Sequence, residues 1–179
     1  MPDYSKLTNP YRQGADDGLW MGLYLSALFF ASAFAVGRTL VGALATGMII
    51  AVPIILFLLL RRTWRRDEGL SLFSGLWMQG IITFLCGGLI SGVVAFAYLR
   101  WVNPGWLADQ VRAMIALYSS IEGGAVIADT LSTMLDRHLL PSPIQMVIQM
   151  LWLEIFSGSI LSLIVTALVR LSRPVNLRP

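Results

Sequence analysis

A lone cysteine, Cys86, set in an apolar run, leaves this sequence with neither a disulfide framework nor a thiolate metal site. A lone histidine, His138, excludes a histidine metal cluster and any Ser-His-Asp arrangement with a second base. Its place at the end of an amphipathic stretch suits a helix-dipole or capping role. Charge is scarce: 13% of the 179 residues are charged, 56% are hydrophobic and the mean hydropathy is +0.72. That balance excludes a soluble domain with a polar exterior and leaves no room for a large water-facing catalytic domain. The sequence contains no phosphate-binding loop and no carboxylate pair inside an apolar run. It is therefore read as a non-catalytic chain without cofactor or metal.

What is present is apolar length. Four runs, Gly18 to Val36, Leu40 to Leu60, Leu72 to Leu99 and Ile144 to Val169, each reach the ~20 residues that cross a hydrocarbon core as a helix. The expected fold is all-α: a four-helix transmembrane bundle of two hairpins, forming one integral membrane domain over residues 1–179. Only Gly37, Arg38 and Thr39 separate the first two runs, whereas Arg100 to Pro143 form an external segment between the last two. Lys6, Arg12, Arg61, Arg62, Arg65, Arg66, Arg170, Arg173 and Arg178 fall on one side, against Arg38, Arg100, Arg112 and Arg137 on the other. The positive-inside rule then places both termini and "RRTWRRDEG" in the cytoplasm. The cluster Arg61, Arg62, Arg65 and Arg66 reads as an orientation signal and anionic-lipid contact, not as a nucleic-acid site. Span one ends in "SAFAVG", which mimics a signal-peptide cleavage site. Asp3, Asp16 and Asp17 against Lys6 and Arg12 give the wrong charge balance for a signal peptide, so the run is read as a retained span.

One carboxylate, Glu154, interrupts the last run. Fourteen Leu, Ile, Val and Phe residues at roughly −0.3 to −0.6 kcal/mol each outweigh one central charge at roughly +3 kcal/mol, so the span still inserts. An ionisable group at that depth needs a partner. Glu154 is expected to face protein as the neutral acid, bonded to span three or to span two near Ile49, whose carbonyl Pro53 leaves unpaired. Its stripe runs through Ser157 and Gly158 to Ser162. Span three offers a matching stripe, Gly75, Gln79, Thr83, Gly87 and Ser91, beside Gly80, Gly88 and Gly92. Small residues at this spacing let backbones approach, so Gly75, Gly87, Gly88, Gly92, Gly158 and Ser162 are read as helix-packing positions. The same spacing recurs as Gly18, Gly22 and Ser26 in span one and as Ala43, Gly47 and Ala51 in span two. Pro53 kinks span two for packing rather than gating.

Two short patterns, "ADDGL" at 15–19 and "RDEGL" at 66–70, precede spans one and three and fit either a parallel repeat or acids placed at helix N-termini. In the external segment Asn103 is expected to cap a helix with Pro104 at its first position, burying a face of Leu107, Val111, Met114, Ile115 and Tyr118. Gly123 and Gly124 break it. A second amphipathic stretch follows, with Ile127, Leu131, Met134, Leu135 and His138 on one face, and Trp101 and Trp106 mark the membrane interface.

The order of these features, "RRDEGLSLFSGLWMQG", then "GGLISGVVAFAYLRWVNPGWL", then "GSILSLIVTALVRL", resembles a four-span bacterial inner-membrane family known as domain of unknown function 4199. The most specific parts are Glu68, Gly69, Leu70, Ser71, Leu72 and Phe73 at the entry to span three, and Tyr98, Asn103 and Pro104 at its exit. Glu154 is not part of the likeness. The resemblance implies a fold, an inner-membrane location and an accessory role near an envelope glycosyltransferase, but no reaction. Two function classes stand. One is an accessory or scaffold subunit that contacts the bilayer and another membrane protein or a second copy of itself. The other is a small carrier or channel using Glu154 with Gln79 and Thr83. The single intramembrane carboxylate favours the first, because ion paths need several connected polar groups.

Overall fold

The computed structural model describes residues 8–35, 38–137 and 139–172. Lys6, Val36, Gly37, His138, Arg173 and Arg178 lie outside the described residues, and the capping role expected of His138 lies there with it. Among the described residues six α-helices follow one another: α1 Pro10–Ala33, α2 Thr39–Arg66, α3 Phe73–Ala97, α4 Trp106–Ser119, α5 Ala125–Asp136 and α6 Pro143–Leu171. The described residues contain no strand, so the all-α class holds. Among the described residues three helical segments are long and apolar enough to cross a membrane: Thr39–Arg66, Phe73–Val102 and Pro143–Leu171. The fourth expected span, α1, has 24 residues and at ~1.5 Å per residue reaches about 36 Å, yet it is not among them. Asp16 and Asp17 fall inside this helix, and that dilutes its apolar run.

Asp16 and Asp17 fall inside α1 because the helix starts earlier than Gly18. Asn9 caps it, its Oδ1 accepting from the backbone N–H of Tyr11 at 3.0 Å and of Arg12 at 3.4 Å, and Pro10 supplies the preset φ of the first turn. The same Asn-Pro pair at Asn103 and Pro104 does not cap α4. Beyond Ala97 the chain of α3 runs on through a π-helical turn, Tyr98–Val102, and the Asn103 N–H donates to the Tyr98 carbonyl at 2.8 Å. This holds Asn103 to the end of the preceding helix, so α4 begins two residues later, after Gly105. At α6 the local signal is complete. Ser142 caps, Pro143 takes the first position, and Gln145 Oε1 accepts from the Ser142 N–H at 2.9 Å.

The long helices alternate in direction. Along α1, positions 14, 18 and 22 meet Gln79, Thr83 and Gly87 in turn, so α1 and α3 run parallel. Along α3, Gly80, Gly88 and Gly92 meet Ser162, Glu154 and Val147, so α6 runs antiparallel to it. Helix α3 lies between α1 and α6, and α2 closes the ring against both. Met21, Leu25, Leu56, Leu60, Leu76, Phe84, Val165 and Val169 fill the centre at the end where α1 begins. Phe29, Tyr98, Leu99 and Val147 fill the opposite end, where Phe29 and Tyr98 meet edge-on with centroids 5.8 Å apart.

Not every small-residue stripe packs. A Cβ at Gly47 or Gly75 would meet nothing within 4 Å. The expected packing role of Gly75 is therefore corrected, and the Ala43, Gly47, Ala51 stripe of α2 turns outward. The physical reason is that Gly75 borders an open cleft, while α2 is held mainly through its second half. Leu56, Leu60, Thr63 and Trp64 are buried there, while Leu40, Leu44, Ile49 and Ile50 are exposed. Pro53 sits inside an unbroken α2, and the Tyr24 hydroxyl donates to the Met48 carbonyl at 2.7 Å, one residue before the carbonyl expected to need a partner.

The segment between α3 and α6 folds as a helical hairpin of α4 on α5, with Gly123 at φ +84° in the break between them, a conformation that favours glycine. Val111, Gly124 and Ala128 are its buried positions. Ile127 and Met134, expected on the covered face of α5, are exposed, because Gly124 and Ala128 present the small surface that α4 can approach. Trp106 ties the hairpin to the bundle through Nε1, which donates to the Ala33 carbonyl at 3.4 Å.

Candidate functional site

Gln79 is fully buried on α3, and its carboxamide joins three helices. Nε2 donates to Asp17 Oδ2 of α1 at 2.7 Å and to Thr63 Oγ1 of α2 at 3.0 Å. The other Asp17 oxygen accepts from Gln13 Nε2, one turn earlier on α1, at 3.0 Å. Thr83, also buried, turns its hydroxyl back to the Gln79 carbonyl at 2.8 Å. The close approach of α1 and α3 makes the cluster possible: Gly14 lies directly over the Gln79 carbonyl, and a Cβ there would come within 2.8 Å of it. A buried carboxylate with two amide donors is a satisfied group, and without it Gln79 keeps only its bond to Thr63.

A second acid organises the same end of the molecule. Asp67, at the C-terminus of α2, accepts at Oδ1 from Thr8 Oγ1 at 2.6 Å and from the Thr8 N–H at 3.3 Å. Its other oxygen accepts from Ser71 Oγ. This ties the chain entering α1 to the turn between α2 and α3, where Glu68 and Gly69 adopt positive φ. Asp17 sits two turns into a helix and Asp67 in a turn, so "ADDGL" and "RDEGL" occupy different local structures.

Two clefts flank the cluster and share Thr63. One, of about 290 Å³, is lined by Gln13, Asp16, Asp17, Trp20, Leu59, Arg62, Thr63 and Arg66. The other, of about 200 Å³, lies on the far side of Thr63 and Gln79 and includes Asp67, Ser71 and Gly75. Of the four arginines expected to contact lipid, Arg62 and Arg66 line the first cleft, Arg61 lies 5.7 Å from the Phe57 ring centroid, and Arg65 is exposed. Among the described residues no group of three or more His, Cys, Asp and Glu could hold a metal ion.

Glu154 stands apart from Gln79 and Thr83. It lies against Gly88, and its Oε2 and Oε1 accept from Ser91 Oγ at 3.2 and 3.4 Å. Between the two polar groups, the Phe84 side chain fills the space over Gly158 and Met21 packs on Gly87. Ser91 can keep its bond to an amide oxygen. We therefore expect Glu154→Gln to melt within ~0.5 kcal/mol of the parent in detergent, and Glu154→Lys to lose roughly 2 kcal/mol or more, since a cation at span depth is costly. A Gln variant as damaged as the Lys variant would sink this account.

The remaining packing positions are in contact. Gly87 meets α1, Gly88 and Gly92 meet α6, and Gly158 and Ser162 meet α3. Sequence reasoning missed Asp17 and Thr63. Asp17 was read as an acid at a helix start, and the signal that corrects this is Asn9-Pro10, which moves that start a full two turns earlier.

Residues 16–170 match the family model described as "Protein of unknown function (DUF4199)". The chain belongs to this family. The match covers α1 through α6 almost entirely, so the whole helical arrangement lies inside the family's domain. No curated protein and no solved structure matches the chain.

Proposed function

We propose that this DUF4199 member is a non-catalytic integral membrane protein. It crosses the bilayer four times as a single domain and serves as an accessory or scaffold subunit of a membrane assembly. The observation that carries the reading is the separation of its polar groups into two unconnected clusters. Gln79 bonds to both Asp17 and Thr63, Glu154 bonds to Ser91, and Phe84 and Met21 pack between them on glycines. A carrier needs polar groups in series across the membrane. Apolar surface supports a partner: Leu117, Val126, Ile127 and Leu139 of the outer segment are exposed beyond the long helices. The proposed partner is an envelope glycosyltransferase.

Four spans follow if α1, parallel to α3 and packed along it, crosses with it. The basic residues of α2 then face the cytoplasm of a bacterial inner membrane, with both termini on that side. Leu70, exposed in the turn between α2 and α3, is a suitable reporter position. In a Cys86→Ala background, Ser120→Cys should react with an impermeant maleimide on intact cells and Leu70→Cys should not. The reverse pattern would invert the topology.

The functional test has two arms. Purified protein in liposomes should show no saturable proton or solute flux, and mild-detergent purification of the intact protein should bring down a reproducible second membrane protein. Flux that saturates and vanishes in Glu154→Gln would replace the scaffold with a carrier. A chain that purifies alone would remove the accessory role.

A further inference from the structure

We propose that the cleft between the start of α1 and the end of α2 binds the headgroup of an aminophospholipid, with its phosphate on Arg62 and Arg66 and its ammonium on Asp16 and Asp17. The inference rests on the membrane reading above. Four charged side chains line this cleft of about 290 Å³, two of each sign, near the ~300 Å³ at which ligand sites begin. Among the described residues none of them is closed into an ion pair with another. Opposite charges held in one cavity without neutralising each other match an occupant that carries both.

The walls add to the match. Arg62 and Arg66 are one helical turn apart on α2, so their guanidinium groups project to the same side and can both take one phosphate. Asp17 is buried and oriented by Gln13 and Gln79, and a carboxylate with two donors retains lone pairs for a third. Thr63 Oγ1 accepts from Gln79 and, among the described residues, donates to none. One turn before Thr63 the lining becomes apolar at Leu59, and Trp20 is 68% exposed beside it. That order, charge then tryptophan then aliphatic wall, follows the depth profile from headgroup to acyl chain at a membrane interface.

The chemistry also separates lipid classes. An anionic glycerol headgroup satisfies the arginines and leaves Asp16 and Asp17 repelled. A choline headgroup carries the right charges, but its quaternary nitrogen has no N–H to donate to Asp17. A primary ammonium with a phosphodiester satisfies both halves.

The test uses the purified full-length protein in detergent micelles doped with phosphatidylethanolamine, phosphatidylglycerol or phosphatidylcholine, read by melting temperature and by lipid retained in native mass spectrometry. Phosphatidylethanolamine should bind at least tenfold more tightly than the other two. Arg62→Gln/Arg66→Gln should abolish this preference, and Asp16→Asn should narrow the gap to phosphatidylglycerol. If the double variant melts abnormally without lipid, Arg66→Gln alone, at the exposed end of α2, carries the comparison. Equal binding of the three lipids, or full retention by the arginine variants, overturns the proposal. Free phosphoethanolamine is a further arm: binding as tight as the lipid would make the occupant a soluble phosphate ester and overturn the lipid assignment. Alkaline extraction of native membranes separates the two readings. A chain that leaves the pellet fails the membrane reading, whereas one that stays but shows no lipid preference fails this inference alone.

Discussion

Gly158→Leu should destabilise the protein by about 3 kcal/mol, toward the upper end of what overpacking usually costs. A Cβ at Gly158 would lie 2.3 Å from Phe84 Cγ and 2.8 Å from Phe84 Cβ. These atoms sit near the base of a buried ring, so relief requires the ring or a helix to move, not merely a flexible tip. The natural control is Gly47→Leu. That glycine is also helical and part of a small-residue stripe, but it has open space around its Cβ direction, and its replacement should change stability by less than ~0.5 kcal/mol. Thermal melts in one detergent compare the two directly. Adding Phe84→Ala to Gly158→Leu should recover part of the loss, because the two positions share one space. A Gly158→Leu protein that melts like the parent would mean that α3 and α6 do not pack as described.

Gln79→Leu should cost about 2 to 4 kcal/mol, because it removes a donor from a buried carboxylate and leaves only Gln13 to serve it. Asp17→Leu should be harmful by the opposite route, leaving one amide proton of Gln79 without an acceptor while the other keeps Thr63. Replacing both partners removes the need for either, so Asp17→Leu/Gln79→Leu should lie within about 1 kcal/mol of the parent. A double variant whose loss equals the sum of the singles would show that the two side chains are not coupled, and the cluster would then have no energetic meaning. Thr63→Val belongs in the same series with a smaller effect, since Gln79 would keep its bond to Asp17.

Local chemistry was legible in the one-dimensional pattern to different degrees. Gly123 and Gly124 mark a break wherever the surrounding helices go, and the break is found there with Gly123 at positive φ. The Asn-Pro pairs show the boundary of such reasoning. Identical dipeptides begin a helix at residue 9 and fail to do so at residue 103, because in the second case a preceding helix captures the Asn103 N–H through a π-type bond. Whether a capping side chain is free to cap depends on the element before it, and that dependence is not local.

From residues alone came the apolar lengths, the all-helical class, the charge imbalance along the chain and the small-residue stripes, because each is a property of composition or of a 3.6-residue period. Only the tertiary structure decided which stripes meet. Gly87 and Gly158 are sealed in contacts while Gly47 and Gly75 have open space beside them, although nothing in their immediate sequence distinguishes them. It also decided that Gln79 answers to Asp17, 62 residues away, and not to Glu154. The physical reason is the same in both cases. A helix repeats its faces at fixed angles, but the neighbour each face receives is set by how four helices close around one core.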